Sequence, residues 1–307
     1  MKAETIGRKT VNVGNIIVNN TVLVIIVLLI VFAGYALWDS KQLHLAADKS
    51  NYAVYKPTAG NEGKTFTELQ DINPEVFAWL TVYGTNIDYP VTQGIDNVKY
   101  VNTNAEGQYS LSGAIFLDYN NSKDFDDFNS ILYGHHMAKK VMFGEIGEFA
   151  DKKMFDTHRY GNLYFNGKNH GLEFFAFLHV DAYDSSVFTA NIWDSARETY
   201  LDNLLAKAIY SRDIGVTIND RIILLSTCSS DSTNGRDILV AVLSDEVYED
   251  TTVDDESDGA GILSGLENRG RVKKVPLWSL LLMLILMTLS IIEIHKLIDR
   301  KRVGTHE

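Results

Sequence analysis

The chain has 307 residues, 46% of them hydrophobic, which is enough for one or two domains with a sizeable core. A formal net charge of −12 argues against a nucleic-acid partner, which would select a basic face. A single cysteine excludes an intramolecular disulfide, and the 4 prolines and 22 scattered glycines form no low-complexity tract or fixed-period repeat.

Residues 1–15 form a short polar tail in which Lys2, Arg8 and Lys9 outnumber Glu4. Residues 16–38 then read as a membrane span. The stretch 21–38 carries no charge, and with residues 16–20 it reaches the roughly 20 residues a bilayer requires. Tyr35 and Trp38 sit at its far end, where amphipathic aromatics favour the headgroup level. Basic residues precede the span and only Lys41 follows closely, so a cytoplasmic N-terminus is expected. A cleaved signal peptide is the competing reading, given Ala33-Gly34-Tyr35-Ala36, but the apolar stretch is long for one.

Residues 39–65 mix leucine and alanine with charge and read as a helical lead-in. From 66 to 248 the texture changes to short apolar runs between turns, the expected globular domain. Strands are expected at 76–83 and 87–91, flanking the hairpin signal Gly84-Thr85-Asn86. Others fall at 113–119, 131–133, 163–165, 172–183, 222–228 and 238–248. Eight or so short strands with turns between them point to a mainly β fold, a closed barrel or a sandwich. One segment, 191–212, instead spaces Tyr200, Leu201, Leu204, Leu205, Ala208 and Ile209 as a helix, with Asp194 or Ser195 as its cap. Residues 245–258 hold eight acids and no base, so 249–274 reads as an acidic-then-basic tether. A second charge-free run, 275–292, reads as another span and leaves 293–307 as a cytoplasmic tail. Both termini would then be inside and the domain outside.

The chemistry concentrates at Cys228. An apolar run from Arg221 ends on this thiol, seven residues separate it from Arg236, and a second apolar run follows. A free cysteine often serves as a small buried hydrophobe. Outside the cell, however, an unpaired one is a candidate reactive thiol. A thiol can act as an acyl-transfer nucleophile and an arginine can stabilise an oxyanion. The thiol, with an ordinary pKa near 8.5, needs a base or cation beside it. Among the eight histidines, His135 and His136 close a short apolar strand after Gly134, which would let the backbone turn sharply. His158, His170 and His179 have no comparable setting, and His44, His295 and His306 lie near or beyond the spans. Adjacent histidines on a strand face opposite ways and no ligand-spaced carboxylate or cysteine accompanies them, so neither metal nor cofactor is expected.

Leu225-Ser226-Thr227-Cys228, the gap to Arg236, and Tyr133-Gly134-His135 together resemble the active site of sortases. These are membrane-anchored cysteine transpeptidases of Gram-positive bacteria with an eight-stranded β-barrel. The resemblance covers about residues 72–247 and includes Asn73-Pro74-Glu75, Trp79-Leu80, the run from Gly84 to Val91, Ser112 to Asp118, and Met142-Phe143-Gly144. The helix between late strands resembles the class B branch. The resemblance implies that Cys228 attacks the backbone carbonyl of a sorting motif to form a thioester. It further implies that His135 handles the protons of the leaving and incoming amines, and that Arg236 binds the substrate backbone or oxyanion. Asp118 and Asp231 are both candidates to orient His135. Asp237 either pairs with Arg236 or faces solvent.

The second span departs from the simplest class B enzymes and resembles pilus-building sortases. The implied partners are surface-protein or pilin precursors with a sorting motif, the membrane, and an amine acceptor, either a pilin lysine or a peptidoglycan cross-bridge. Anchoring of a single wall protein, a hydrolytic cysteine peptidase and a non-catalytic two-span scaffold are the other hypotheses. Product analysis with and without an amine separates transfer from hydrolysis, and Cys228→Ala separates both from a scaffold.

Overall fold

A computed structural model of the chain describes residues 2–57, 64–228 and 234–251. The expected second span at 275–292 and the tether beyond 251 lie outside the described residues, as does Asp231. The chain divides into two units, with Leu43 beginning the larger one. In the first, helix α1 (Lys2–Ala47) runs without a break through the predicted tail and span. Its Gly14–Ala47 portion is long and apolar enough to cross a bilayer. Ile17, Ile30, Phe32 and Leu37 are exposed along it, a surface that water penalises and lipid would cover.

In the larger unit, Asp48 caps a 3-10 turn by accepting from the Ser50 amide at 2.8 Å. Tyr52 and Tyr55 then bury against the domain, and Lys56 pairs with Asp88 at 2.8 Å. Helix α2 (Lys64–Ile72) buries Phe66 and Leu69. The Phe66 ring meets Trp79 and Tyr164 edge-on, at 6.5 and 5.5 Å between centroids. These are favourable geometries for aromatic quadrupoles.

The strands are β1 (Val76–Val82), β2 (Asp88–Thr92), β3 (Ile115–Leu117), β4 (Asn129–Tyr133), β5 (Tyr160–Phe165), β6 (Lys168–Asp181), β7 (Ala208–Ser211), β8 (Arg221–Cys228) and β9 (Gly235–Ser244). Helix α3 (Lys152–Thr157), capped by Asp151, precedes β5, and α4 (Arg197–Lys207) precedes β7. Their order in the sheet is β5-β1-β2-β3-β4-β8-β9-β6-β7, and β5 also pairs with β6. That last pairing closes eight strands into the expected barrel and removes its edges, while β7 extends β6 from outside the ring. All pairs are antiparallel except β2–β3 and β4–β8.

The strands alternate between two cores. Leu132, Leu225, Leu239 and Phe177 belong to the cluster that fills the barrel. Ile131, Leu224, Ile238 and Leu178, one residue out of step, join Tyr200, Leu201 and Leu204 of α4 in a second cluster on the outer face. Burying a phenylalanine such as Phe174 or Phe177 contributes about 1.5–3 kcal/mol.

Two local expectations are corrected. The segment 191–212 is not one helix: α4 stops at Lys207 and Ala208–Ser211 pairs with Ala176–Leu178 of β6. Alternating half-buried Ala208 and Tyr210 with exposed Ile209 and Ser211 suits an added strand, so the tertiary contact overrides the helical spacing. Neither Asp194 nor Ser195 caps α4 with its side chain; Asp194 pairs with Arg197 at 2.7 Å instead.

Candidate active site

Three neighbouring strands, β4, β8 and β9, bring the sequence-predicted residues to one end of the barrel. Tyr133 is the partner of Ser226 in the parallel β4–β8 pair, and the Gly134 amide donates to the Ser226 carbonyl at 3.2 Å. Cys228 lies two residues further along β8, and His135 follows two residues after the end of β4. Across the antiparallel β8–β9 pair, Cys228 is opposite Arg236 and Thr227 is opposite Asp237. Gly134 serves here through close packing. A Cβ at that position would lie 2.7 Å from the buried Phe143 ring, so any side chain would force the ring or the backbone beside His135 to shift.

His135 is half-buried, and its Nε2 lies 2.8 Å from the Val101 carbonyl. A carbonyl can only accept, so Nε2 carries a proton and Nδ1 is left to exchange one. The orienting partner is therefore a backbone group on the β2–β3 connection. Asp118 is committed elsewhere. Its Oδ2 accepts from Tyr133 Oη at 3.1 Å and Asn97 Nδ2 at 2.8 Å, and its Oδ1 accepts from the Asn120 amide at 2.9 Å. Burial, reinforced by the Asp118 charge, pushes the Tyr133 phenol well above its ordinary range, while the nearby Arg236 charge opposes the shift. His136 follows a different path, bridging to Met142, and its buried Nδ1 has no protein partner among the described residues.

Arg236 is half-buried. Its Nη1 donates to the Gly235 carbonyl at 2.9 Å, and no carboxylate among the described residues pairs with it. Asp237, which the sequence left between Arg236 and solvent, takes neither. It is buried and accepts from His179 Nδ1 at 2.8 Å. Two buried hydroxyls just before the cysteine, Ser226 Oγ and Thr227 Oγ1, also lack protein partners among the described residues.

This end therefore combines a strand-terminal thiol residue, an imidazole with one nitrogen tied down, and an unpaired guanidinium. Such a set can carry out nucleophilic acyl transfer with general acid–base assistance. Sequence reasoning passed over Val101, whose contribution is a carbonyl and leaves no side-chain signature. It also passed over His179, which lies on β6 opposite Asp237 with its ring at the solvent boundary.

No family model matches the chain. Sortase B of Listeria monocytogenes is 30% identical over 203 residues, covering 64% of this chain and 82% of that protein. The crystal structure of sortase B from the type II pilus of Streptococcus pneumoniae is 49% identical, covers 59% of this chain and 99% of that one, and superposes with a TM-score of 0.52. A Streptococcus pyogenes class B sortase involved in pilus biogenesis is 39% identical, covers 58% and 97%, and gives 0.55.

Proposed function

The chain belongs to the class B sortases and is a cysteine transpeptidase, and from that premise we propose which residues do the chemistry and what this member joins. Cys228 attacks the backbone carbonyl of a sorting motif on a precursor protein. Arg236 donates to the oxyanion that forms, a charge-assisted bond worth about 1.5–3 kcal/mol. Collapse of the tetrahedral species breaks the peptide bond. His135 gives a proton to the leaving amine, and a thioester remains on Cys228. His135 then takes a proton from an incoming amine, which attacks the thioester, forms the new amide and returns the thiolate. The observation that supports this reading is the register that sets Cys228 opposite Arg236, with His135 two residues beyond the adjoining end of β4.

The acceptor we propose is a lysine of a pilin subunit, so that the product is an isopeptide bond and the repeated product a pilus. Two solved relatives are pilus sortases. A span at each end, with both termini cytoplasmic and the domain outside, would confine the enzyme beside precursors held at the same membrane. Co-confinement raises effective concentration, which suits repeated joining of like subunits.

The test incubates the full chain in membranes with candidate sorting peptides, with and without an amine. Motif cleavage with amide product supports transfer; cleavage that yields only the free acid whatever amine is present makes the enzyme a peptidase. Turnover unchanged in Cys228→Ala would leave the nucleophile elsewhere. In cells, deletion of the gene is expected to erase the ladder of covalent pilin multimers. An intact ladder with one missing monomeric wall protein would assign it to single-protein anchoring.

A further inference from the structure

Arg236 is followed at once by a carboxylate, which is an awkward neighbour for a guanidinium that must stay available to a substrate. Strand alternation turns Asp237 to the other face of β9. It shares a row with Thr227 of β8 on one side and His179 of β6 on the other. That row has the inward parity of Leu225, Leu239 and Phe177, whereas Arg236 sits in the row of Val180 on the outer face. Asp237 is only 7% exposed, and the one side chain that donates to it among the described residues is His179, through Nδ1 at 2.8 Å. The 3-10 turn Ile146–Ala150 closes over the same carboxylate. A Cβ on Gly147 would lie 3.0 Å from Asp237 Oδ2, a tight contact that would crowd the carboxylate.

We infer that His179 and Asp237 are positioning residues for Arg236: the pair pins the first residues of β9 to β6 and keeps the carboxylate away from the guanidinium. This rests on the role proposed above for Arg236. The physical argument has two parts. Arg236 has no side-chain partner of its own among the described residues, so its place is set by the backbone that carries it. That backbone lies at the start of β9, opposite Val180 of β6 and Cys228 of β8, and the Asp237–His179 bond is the first side-chain tie across to β6 among the described residues. The bond is partly exposed on the His179 side, so it is a weak source of stability; its inferred contribution is to the register and direction of the strand start.

The experiment uses the full chain and reads kcat, KM and thermal midpoint for Asp237→Leu and Asp237→Asn, alone and combined with Arg236→Lys. Misplacing a catalytic group by about 1 Å costs up to on the order of a hundredfold, so Asp237→Leu is expected to lower kcat by roughly ten- to a hundredfold while KM moves little. Asp237→Asn keeps an oxygen for the His179 N–H and is expected to restore most of kcat. In the Arg236→Lys background, Asp237→Leu is expected to cost much less than it does alone, because its effect runs through Arg236. A merely structural role predicts losses that follow the melting temperature and multiply with Arg236→Lys.

If Asp237→Leu does not fold, Gly147→Ala crowds the carboxylate from the far side, and the same Arg236-dependent fall in kcat decides the matter. Normal kcat in Asp237→Leu, or in Gly147→Ala where that variant must decide, overturns the inference. So do equal losses for leucine and asparagine, and fully multiplicative effects. An Arg236→Lys enzyme with normal turnover would instead overturn the role of Arg236 itself, and the two failures are thereby distinguished.

Discussion

The two ends of the β8–β9 ladder are built from the same kind of strand and finished differently. At the end where Arg221 lies opposite Leu243, the charges are paired: Arg221 holds Asp245 at 2.9 Å, and Arg159 holds Glu173 at 2.7 Å. Just beyond, the Tyr248 ring stacks on Tyr160 with centroids 4.3 Å apart, and the Tyr248 carbonyl accepts from Tyr83 Oη at 3.0 Å. At the end where Cys228 lies opposite Arg236, the guanidinium has no carboxylate, and Ser226 Oγ, Thr227 Oγ1 and His136 Nδ1 find no protein partner among the described residues. A buried polar group left unsatisfied costs about 1–3 kcal/mol, so each of these groups weighs against stability. The contrast lies in the charges: carboxylates hold the arginines at one end, and at the other a guanidinium has none among the described residues, as the role proposed for Arg236 requires. Toward the closed end, Ser130 Oγ beside Ile223, His170 Nδ1 and Asn162 Oδ1 likewise lack a partner among the described residues.

The sharpest way to break this contrast is to treat the adjacent histidines separately. General acid–base groups contribute about a hundred- to ten-thousandfold, so His135→Ala is expected to lose turnover on that scale, while His136→Ala stays within a few-fold of the parent. Steady-state transpeptidation by the two variants checks this, and equal losses would dissolve the distinction.

Arg236→Lys comes next. Lysine keeps the charge but lacks the planar fork of donors, and one lost oxyanion donor costs about a hundred- to a thousandfold in kcat. Near-normal rates with an intact fold would make Arg236 a general field at most.

At the closed end the expected effects change in kind. Tyr248→Ala removes the stacking and the Glu173 contact and is expected to cost about 1–3 kcal/mol in urea unfolding with kcat unchanged. A fall in kcat with no fall in stability would erase the difference between the ends.

The smallest effect concerns pH. Burial against Phe165 pushes His170 below its ordinary value, although Asp245 opposes the shift. The unfolded chain therefore takes up a proton below about pH 6.5 that the folded chain resists. Stability is fully present above that pH and is lost as pH falls toward the lowered folded value. Urea midpoints at high and low pH should converge in His170→Phe, which keeps an aromatic ring on Phe165; an unchanged gap would place the dependence on other groups.

Much of the barrel was legible because most of its strands carry uninterrupted apolar runs bounded by turns, as in 76–82 and 221–228. The strand Ala208–Ser211 was not, because its residues continue the helical spacing of α4 and only the edge of β6 makes them a strand. The candidate site was legible as residue types at known spacing. What holds those residues was not. Val101 acts through its backbone, Asp118 turned out to serve Tyr133, and the Asp237–His179 bond joins residues 58 positions apart. Linear sequence carries the chemistry of a side chain but not the strand register that decides its partner.

The central claim is that the thiol at the end of β8 carries the acyl group. Mixing the full chain with a sorting peptide in the absence of amine and quenching in acid should give a mass increase equal to the acyl fragment. The increase should map to Cys228, be absent from Cys228→Ala, and disappear when an amine is added as the amide product forms. Peptide cleavage with no adduct on Cys228, or cleavage that survives Cys228→Ala, would contradict the account.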